Sequence, residues 1–364
     1  MLYPINPPSC SPALDWAVQL QCDLITALCD PNTTPTMVTP HWVRTLRPNP
    51  PEIADWLERF AGRTFEKVKL IDAMEHIASL NGPDKILILD HFNNNHQFTN
   101  AFIPGFNAPA ITDISTIINI ETQSALKTIL KAFYGNGLAH KNGFPVNSNG
   151  NPGRCTDRKM FVDTFVRDNK INVCPLCDGD LNGPEVDHWL PESKYPALSC
   201  HPKNLVPICH DCNSPANKHH KSPISAGHMQ PFEEWFHPYE RPAAGQFSVE
   251  ISDGKSVRLA NTNTLQQARL DNLDSLINLS KRWSDVYQQQ KEDYLRKLAG
   301  KVRRGNIAVN AVSLLRTIQN WIDEVIDARF ERRHSLIKLY ILNSVNNTNS
   351  PDFTAWLQHM DDAL

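Results

Sequence analysis

Two Cys-x-x-Cys pairs, Cys174/Cys177 and Cys209/Cys212, constrain the fold of this chain more than any other feature. Each pair places two thiolates on one turn, at the reach a tetrahedral Zn²⁺ requires. Two such turns complete an S₄ site with no open coordination position, so the expected zinc is structural rather than catalytic. The alternatives are four unrelated cysteines or two redox pairs. The shared spacing, bracketing a polar cluster, argues against the first. Against the second, neither pair sits at a helix N-terminus beside a βαβ pattern, where such pairs become reactive.

The polar cluster suggests chemistry. Asp187 and His188 are adjacent, Asn204 stands alone, and Asn213 directly follows the last cysteine. A carboxylate such as Asp187 suits Mg²⁺ or Mn²⁺, a histidine titrates near working pH, and Asn213 offers a neutral oxygen. An ion held by one carboxylate and one amide keeps positions open for water and phosphate oxygens. That donor set suits phosphodiester cleavage, where the substrate brings its own ligands.

Cys-x-x-Cys, Val-Asp-His, Asn-Leu-Val-Pro and Cys-x-x-Cys-Asn, in that order over residues 174–213, resemble the HNH endonuclease motif of the ββα-metal fold. The resemblance implies that His188 activates water as general base and that Asp187 and Asn213 hold the divalent ion. It implies that Asn204 ties the two strands together and orients His188. Asp-His-Trp-Leu-Pro, Lys-Tyr-Pro and His-Pro-Tyr at 237–239 narrow the likeness. They resemble stand-alone bacterial HNH proteins that accompany an ATPase in Septu-type and retron-linked anti-phage systems. DNA, ahead of RNA, is then the expected substrate, with an ATPase as regulatory partner. One departure is Lys218, five residues after Asn213 and behind Pro215, where the family has a lysine three or four residues on. Proline past a first helical turn breaks the helix, so the facing of the phosphate-contact candidates Lys218 and Lys221 is left open. Adjacent residues on a regular strand point to opposite faces, so the motif needs the strand to end or twist at Asp187-His188.

The 364 residues carry a net charge of −3, which excludes a global basic field for nucleic acid. The charge is polarised, however. Residues 1–150 hold ten basic and 13 acidic side chains, whereas 281–338 hold 13 basic and seven acidic. Lys301, Arg303 and Arg304 form the densest basic knot and are the expected nucleic-acid contacts of the C-terminal half. Beyond the zinc set, Cys10, Cys22, Cys29, Cys155 and Cys200 form no framework spacing, which with zinc thiolates reads as a reducing, cytoplasmic setting. No signal peptide or membrane span is expected.

Three regions follow. Residues 1–150 read as helical: from Pro12 to Cys29, a short helix after Thr39, one from Pro51, one from Thr64 to Leu80, and one ending near Tyr134. Ile86–Leu89 is a strand or a buried helical turn. An Asn/Gly/Pro-rich linker covers 135–153. Residues 151–241 form the nuclease module, entered through a helix from Asp157 to Asn169 whose Arg154, Arg158, Lys159 and Arg167 read as a solvated face. Residues 242–364 begin with a hairpin around Asp253-Gly254 and continue as helices, one long helix spanning 310–342. The expected fold is mainly α, with a zinc-stapled ββα-metal module inserted mid-chain and a short β-hairpin after it. The expected activity is metal-dependent phosphodiester hydrolysis. The competing reading is a non-catalytic, zinc-stabilised adaptor that binds nucleic acid or protein.

Overall fold

The computed structural model describes residues 2–103, 105, 111–116, 119–140, 144–145, 157–223 and 232–364. Much of the expected linker, with Arg154 and Cys155, lies outside them. The N-terminal half is helical, as its apolar periodicity requires. Helix α1 (Pro12–Cys29) starts on a proline and buries Leu14, Leu20, Leu24, Ile25 and Leu28. Helices α2 (Pro40–Thr45) and α3 (Pro51–Ala61) follow, the first capped by Thr39, whose side chain accepts from the Trp42 amide. The expected helix from Thr64 is instead a tight hairpin of β1 (Thr64–Phe65) and β2 (Val68–Lys69), then α4 (Leu70–Ala78). Its turn residues, Glu66 and Lys67, both take positive φ without the asparagine or glycine that usually announces such a turn. Ile86–Leu89 is helical, inside α5 (Gly82–His96), which Asn81 caps. Helix α6 (Ile120–Phe133) closes this half and runs into a turn over Tyr134–Leu138.

Asp157 caps α7 (Arg158–Asn169), accepting from the Met160 amide, and Lys170 ends it in the left-handed conformation. Beyond the first cysteine pair, β3 (Glu185–His188) pairs antiparallel with β4 (Leu205–Ile208). The short helix α8 (His210–Asn213) completes a strand–strand–helix order; Cys209 is its N-cap, so the second pair does stand at a helix start. The expected hairpin forms as β5 (Ser248–Ser252) and β6 (Ser256–Ala260), with Asp253 and Gly254 at positive φ. Helices α9 (Thr264–Ile277), α10 (Leu279–Arg303), α11 (Ala311–Asp327), α12 (Ser335–Asn346) and α13 (Pro351–Asp361) complete the chain. The single helix expected over 310–342 is thus divided. The break between α11 and α12 lies against the first cysteine pair: Asn172 donates to the Phe330 carbonyl, the His334 amide donates to the Asp178 carbonyl, and the Leu336 amide to its carboxylate. Tertiary bonds override a helical sequence pattern here.

Two apolar cores organise the molecule, and neither follows the linear boundaries. One gathers α1, α3–α6 and Phe161 of α7, together with Val186, Ala197, Cys200 and Leu205 of the mid-chain module. The other joins the C-terminal helices and β6 to the cysteine knot, and recruits Leu2, Tyr3, Ile5, Phe98 and Phe102 from the N-terminal half. The β3–β4 hairpin therefore sits as a wedge between two helical bodies. Phe353 and Trp356 of α13 are spent on the second core rather than left for a partner. Among the described residues, no helix is long and apolar enough to cross a membrane.

Candidate functional site

The four expected zinc ligands converge. The sulfurs of Cys174, Cys177, Cys209 and Cys212 all lie within 4.8 Å of one another, are buried, and form no disulfide. Two of the Sγ–Sγ separations are 3.9 Å (Cys174–Cys212) and 3.6 Å (Cys177–Cys209). A tetrahedral ion with Zn–S bonds of about 2.3 Å requires edges of about 3.8 Å, so the knot has the dimensions of a zinc site. The Cys209 amide donates to the Cys174 sulfur and the Cys212 amide to the Cys209 sulfur, each at 3.4 Å. From α10, the Arg282 guanidinium lies 3.2 Å from Cys212 Sγ and 3.3 Å from Cys177 Sγ, while Trp283 donates its indole N–H to the Cys177 carbonyl. A cation against these sulfurs offsets the negative charge that four thiolates leave on a divalent ion. The first knuckle is clamped from the other side too: Asp178 is fully buried and accepts from the Tyr3 hydroxyl at 2.6 Å.

The knot anchors the hairpin that carries Asp187 and His188. The ladder pairs Asp187 with Val206 and His188 with Leu205, and β3 ends at His188, as the adjacency of the two requires. Their side chains meet different partners. His188 Nε2 lies 2.9 Å from the Ser199 carbonyl oxygen and 3.7 Å from Glu192 Oε2, and its ring meets Tyr134 edge-on at 4.6 Å. A carbonyl only accepts, so Nε2 carries the proton and neutral His188 keeps its basic lone pair on Nδ1. Asn204 is fully buried and saturated. Its oxygen accepts from the Leu190 amide, and its nitrogen donates to the Leu190 and Leu198 carbonyls. With the Trp189 amide bonded to the Asn204 carbonyl, Asn204 fixes the chain that leaves His188. The His-Pro-Tyr sequence is a strut: Tyr239 donates its hydroxyl to the Leu205 carbonyl, and buried His237 accepts from the Tyr239 and Glu240 amides.

Lys218 corrects an expectation. It is fully buried, not a phosphate contact at the surface. Pro215 stops α8, and the chain turns back so that the Lys218 ammonium donates to the His188 carbonyl at 2.7 Å. The same ammonium lies 2.6 Å from Asp187 Oδ2, a buried ion pair. Burial raises the Asp187 pKa and the neighbouring ammonium opposes that rise. Among the described residues no hydrogen bond joins Asn213 to Asp187; its amide nitrogen donates to Glu185 Oε2 at 2.6 Å, and His210 Nδ1 meets Glu185 Oε1 at 2.8 Å. Glu185 precedes Asp187 by two positions on β3 and so shares its face. The sequence offered one signal for it, a carboxylate two residues before an Asp-His pair on a strand. Arg158, expected on a solvated face, lies near enough to Glu185 to help lower its pKa, after the larger effect of the His210 hydrogen bond. Lys221 is exposed, its ammonium 3.5 Å from the Leu276 carbonyl. Arg303 and Arg304 are exposed and Lys301 half-buried at the C-terminal end of α10.

Among the described residues, the cysteine knot is the only cluster of three or more metal-capable His, Cys, Asp or Glu side chains. No family model matches the chain, and no solved structure does. It is similar to Protein ea31 of Escherichia phage lambda, with 36% identity over 88 residues. That stretch spans 24% of this chain and a quarter (25%) of the phage protein.

Proposed function

We propose that the protein is a zinc-stapled, metal-dependent phosphodiester hydrolase of nucleic acid, DNA ahead of RNA. The observation that carries the reading is His188: a histidine in a single tautomer, at the end of a hairpin strand, with Nδ1 free to accept a proton. The strand–strand–helix order and the Asn204 clasp agree with the roles that the motif implies. Asp187 and the oxygen of Asn213 would hold a divalent ion such as Mg²⁺. The donor chemistry fits, since one carboxylate and one amide oxygen leave places for water and phosphate. When bound, such an ion supplies Lewis-acid stabilisation of charge on the phosphate and the leaving oxygen. The chain's own part is to hold His188, take the water proton on Nδ1 and oppose, through Lys218, the rise in the Asp187 pKa that burial causes. An ATPase partner and a role in defence against phage belong to this reading and rest on the wording of the motif.

His188→Ala is expected to lower cleavage of plasmid DNA in Mg²⁺ or Mn²⁺ by about 10²–10⁴-fold, the usual reach of general-base catalysis. Zinc content and fold should be unchanged. Parent-rate cleavage by that variant refutes the assignment. A second reading, a zinc-stabilised binding adaptor without turnover, draws on the Asp187–Lys218 pair, which already neutralises the carboxylate. It requires nucleic-acid binding indifferent to chelation of Mg²⁺ and no cleavage under any ion.

A further inference from the structure

We infer that Glu185 is a positioning residue for the ion site, setting the amide of Asn213 so that its oxygen is the end left free. The inference rests on the hydrolase reading for the purpose of that oxygen, and on geometry for everything else. A carboxylate only accepts, so Glu185 Oε2, 2.6 Å from Asn213 Nδ2, selects one of the two amide orientations. The reversed orientation would set two acceptor oxygens against each other at hydrogen-bond distance. Among the described residues, no donor hydrogen-bonds to Asn213 Oδ1, and it is not a buried orphan. Glu185 is itself held, since His210 Nδ1 donates to its other oxygen at 2.8 Å.

The elements explain the arrangement. Glu185 opens β3, where it pairs with Ile208, the residue just before the Cys209 knuckle. Asn213 and His210 are the two ends of α8, one turn apart, so both reach the same strand residue. The knot therefore fixes α8 against β3, and Glu185 converts that placement into an orientation of one amide. Outer partners of this kind typically change metal affinity by about 10–100-fold when removed.

The test is Mn²⁺ binding to the full-length, zinc-loaded protein without nucleic acid, read by the electron paramagnetic resonance of free Mn²⁺. Glu185→Ala should weaken binding by at least about tenfold. Glu185→Gln, which still offers Asn213 an acceptor oxygen, should recover most of the loss. Asn213→Ala should weaken binding as well, and the double variant Glu185→Ala/Asn213→Ala should bind no worse than Asn213→Ala alone. Parent-like binding by Glu185→Ala overturns the inference. So does a double variant weaker than either single one, which would make Glu185 a ligand in its own right. A plasmid-cleavage assay of the parent protein, with His188→Ala beside it, separates the two ideas. Cleavage and Mn²⁺ binding with no effect of Glu185 sink the positioning role alone; absence of both sinks the hydrolase reading with it.

Discussion

Lys218 is the side chain whose surroundings differ most from its sequence context. A lysine beside two histidines and another lysine reads as a basic surface, yet its ammonium is enclosed with the Asp187 carboxylate and the His188 carbonyl. Removing one partner of a buried pair leaves an uncompensated charge, at a cost of about 3–5 kcal/mol. Lys218→Met is therefore expected to lower unfolding stability by that amount in urea titrations. Lys218→Met with Asp187→Asn should recover a large part of it, and a cost below about 1 kcal/mol for the single variant would show the pair to be dispensable. Spacing alone could not place Lys218, because Pro215 turns the chain back and no local periodicity encodes that turn. Asn204 was pointed to by the resemblance, which implied a tie between the strands; in the fold its side chain makes three hydrogen bonds to the Leu190 and Leu198 backbone. Glu185 was harder to see, since one carboxylate on a short strand is ordinary until Asn213 and His210 close on it.

At the level of elements, the cysteine knot sets where other segments go. Its first knuckle takes hydrogen bonds from Tyr3 and from the α11–α12 break, and its sulfurs face Arg282 of α10. Cys177→Ser should reduce bound zinc from one equivalent toward none and lower the thermal midpoint of the whole molecule, measured by metal analysis and calorimetry. An unchanged midpoint with zinc absent would mean that the knot is ornamental. Arg282→Ala should keep the zinc but release it faster to a chelator. The same contacts account for the departure from one helix over 310–342: the apolar spacing persists through the break, while bonds to Asn172 and the buried Asp178 draw the chain out of the helix. Likewise, β1–β2 carries no glycine or asparagine in its turn, so its positive φ values were invisible beforehand. Helices with a proline start or a side-chain cap, α1, α2, α7 and α13, were legible because their boundaries are chemical and local.

Across the whole molecule, burial of histidines couples stability to pH. His91 and His96 are held near pKa 4 by burial, below the ordinary 6.5. The unfolded chain thus binds protons that the folded one refuses, and stability falls as pH drops from about 6.5 toward 4, by about 1.4 kcal/mol per pH unit for each such proton. His96→Phe should flatten the slope of stability between pH 6.5 and 4.5 by roughly one proton; an unchanged slope would assign the loss to other groups. The paired cores also bear on how this region can be handled. Val186, Ala197, Cys200 and Leu205 face one helical body, and the cysteine knot with Trp189 and Val206 faces the other. A fragment cut out as a cartridge, 157–241, would carry its motif intact yet present two wet apolar flanks. Expressed alone it should clump rather than fold, so transplanting this hairpin means transplanting the neighbours that shelter it.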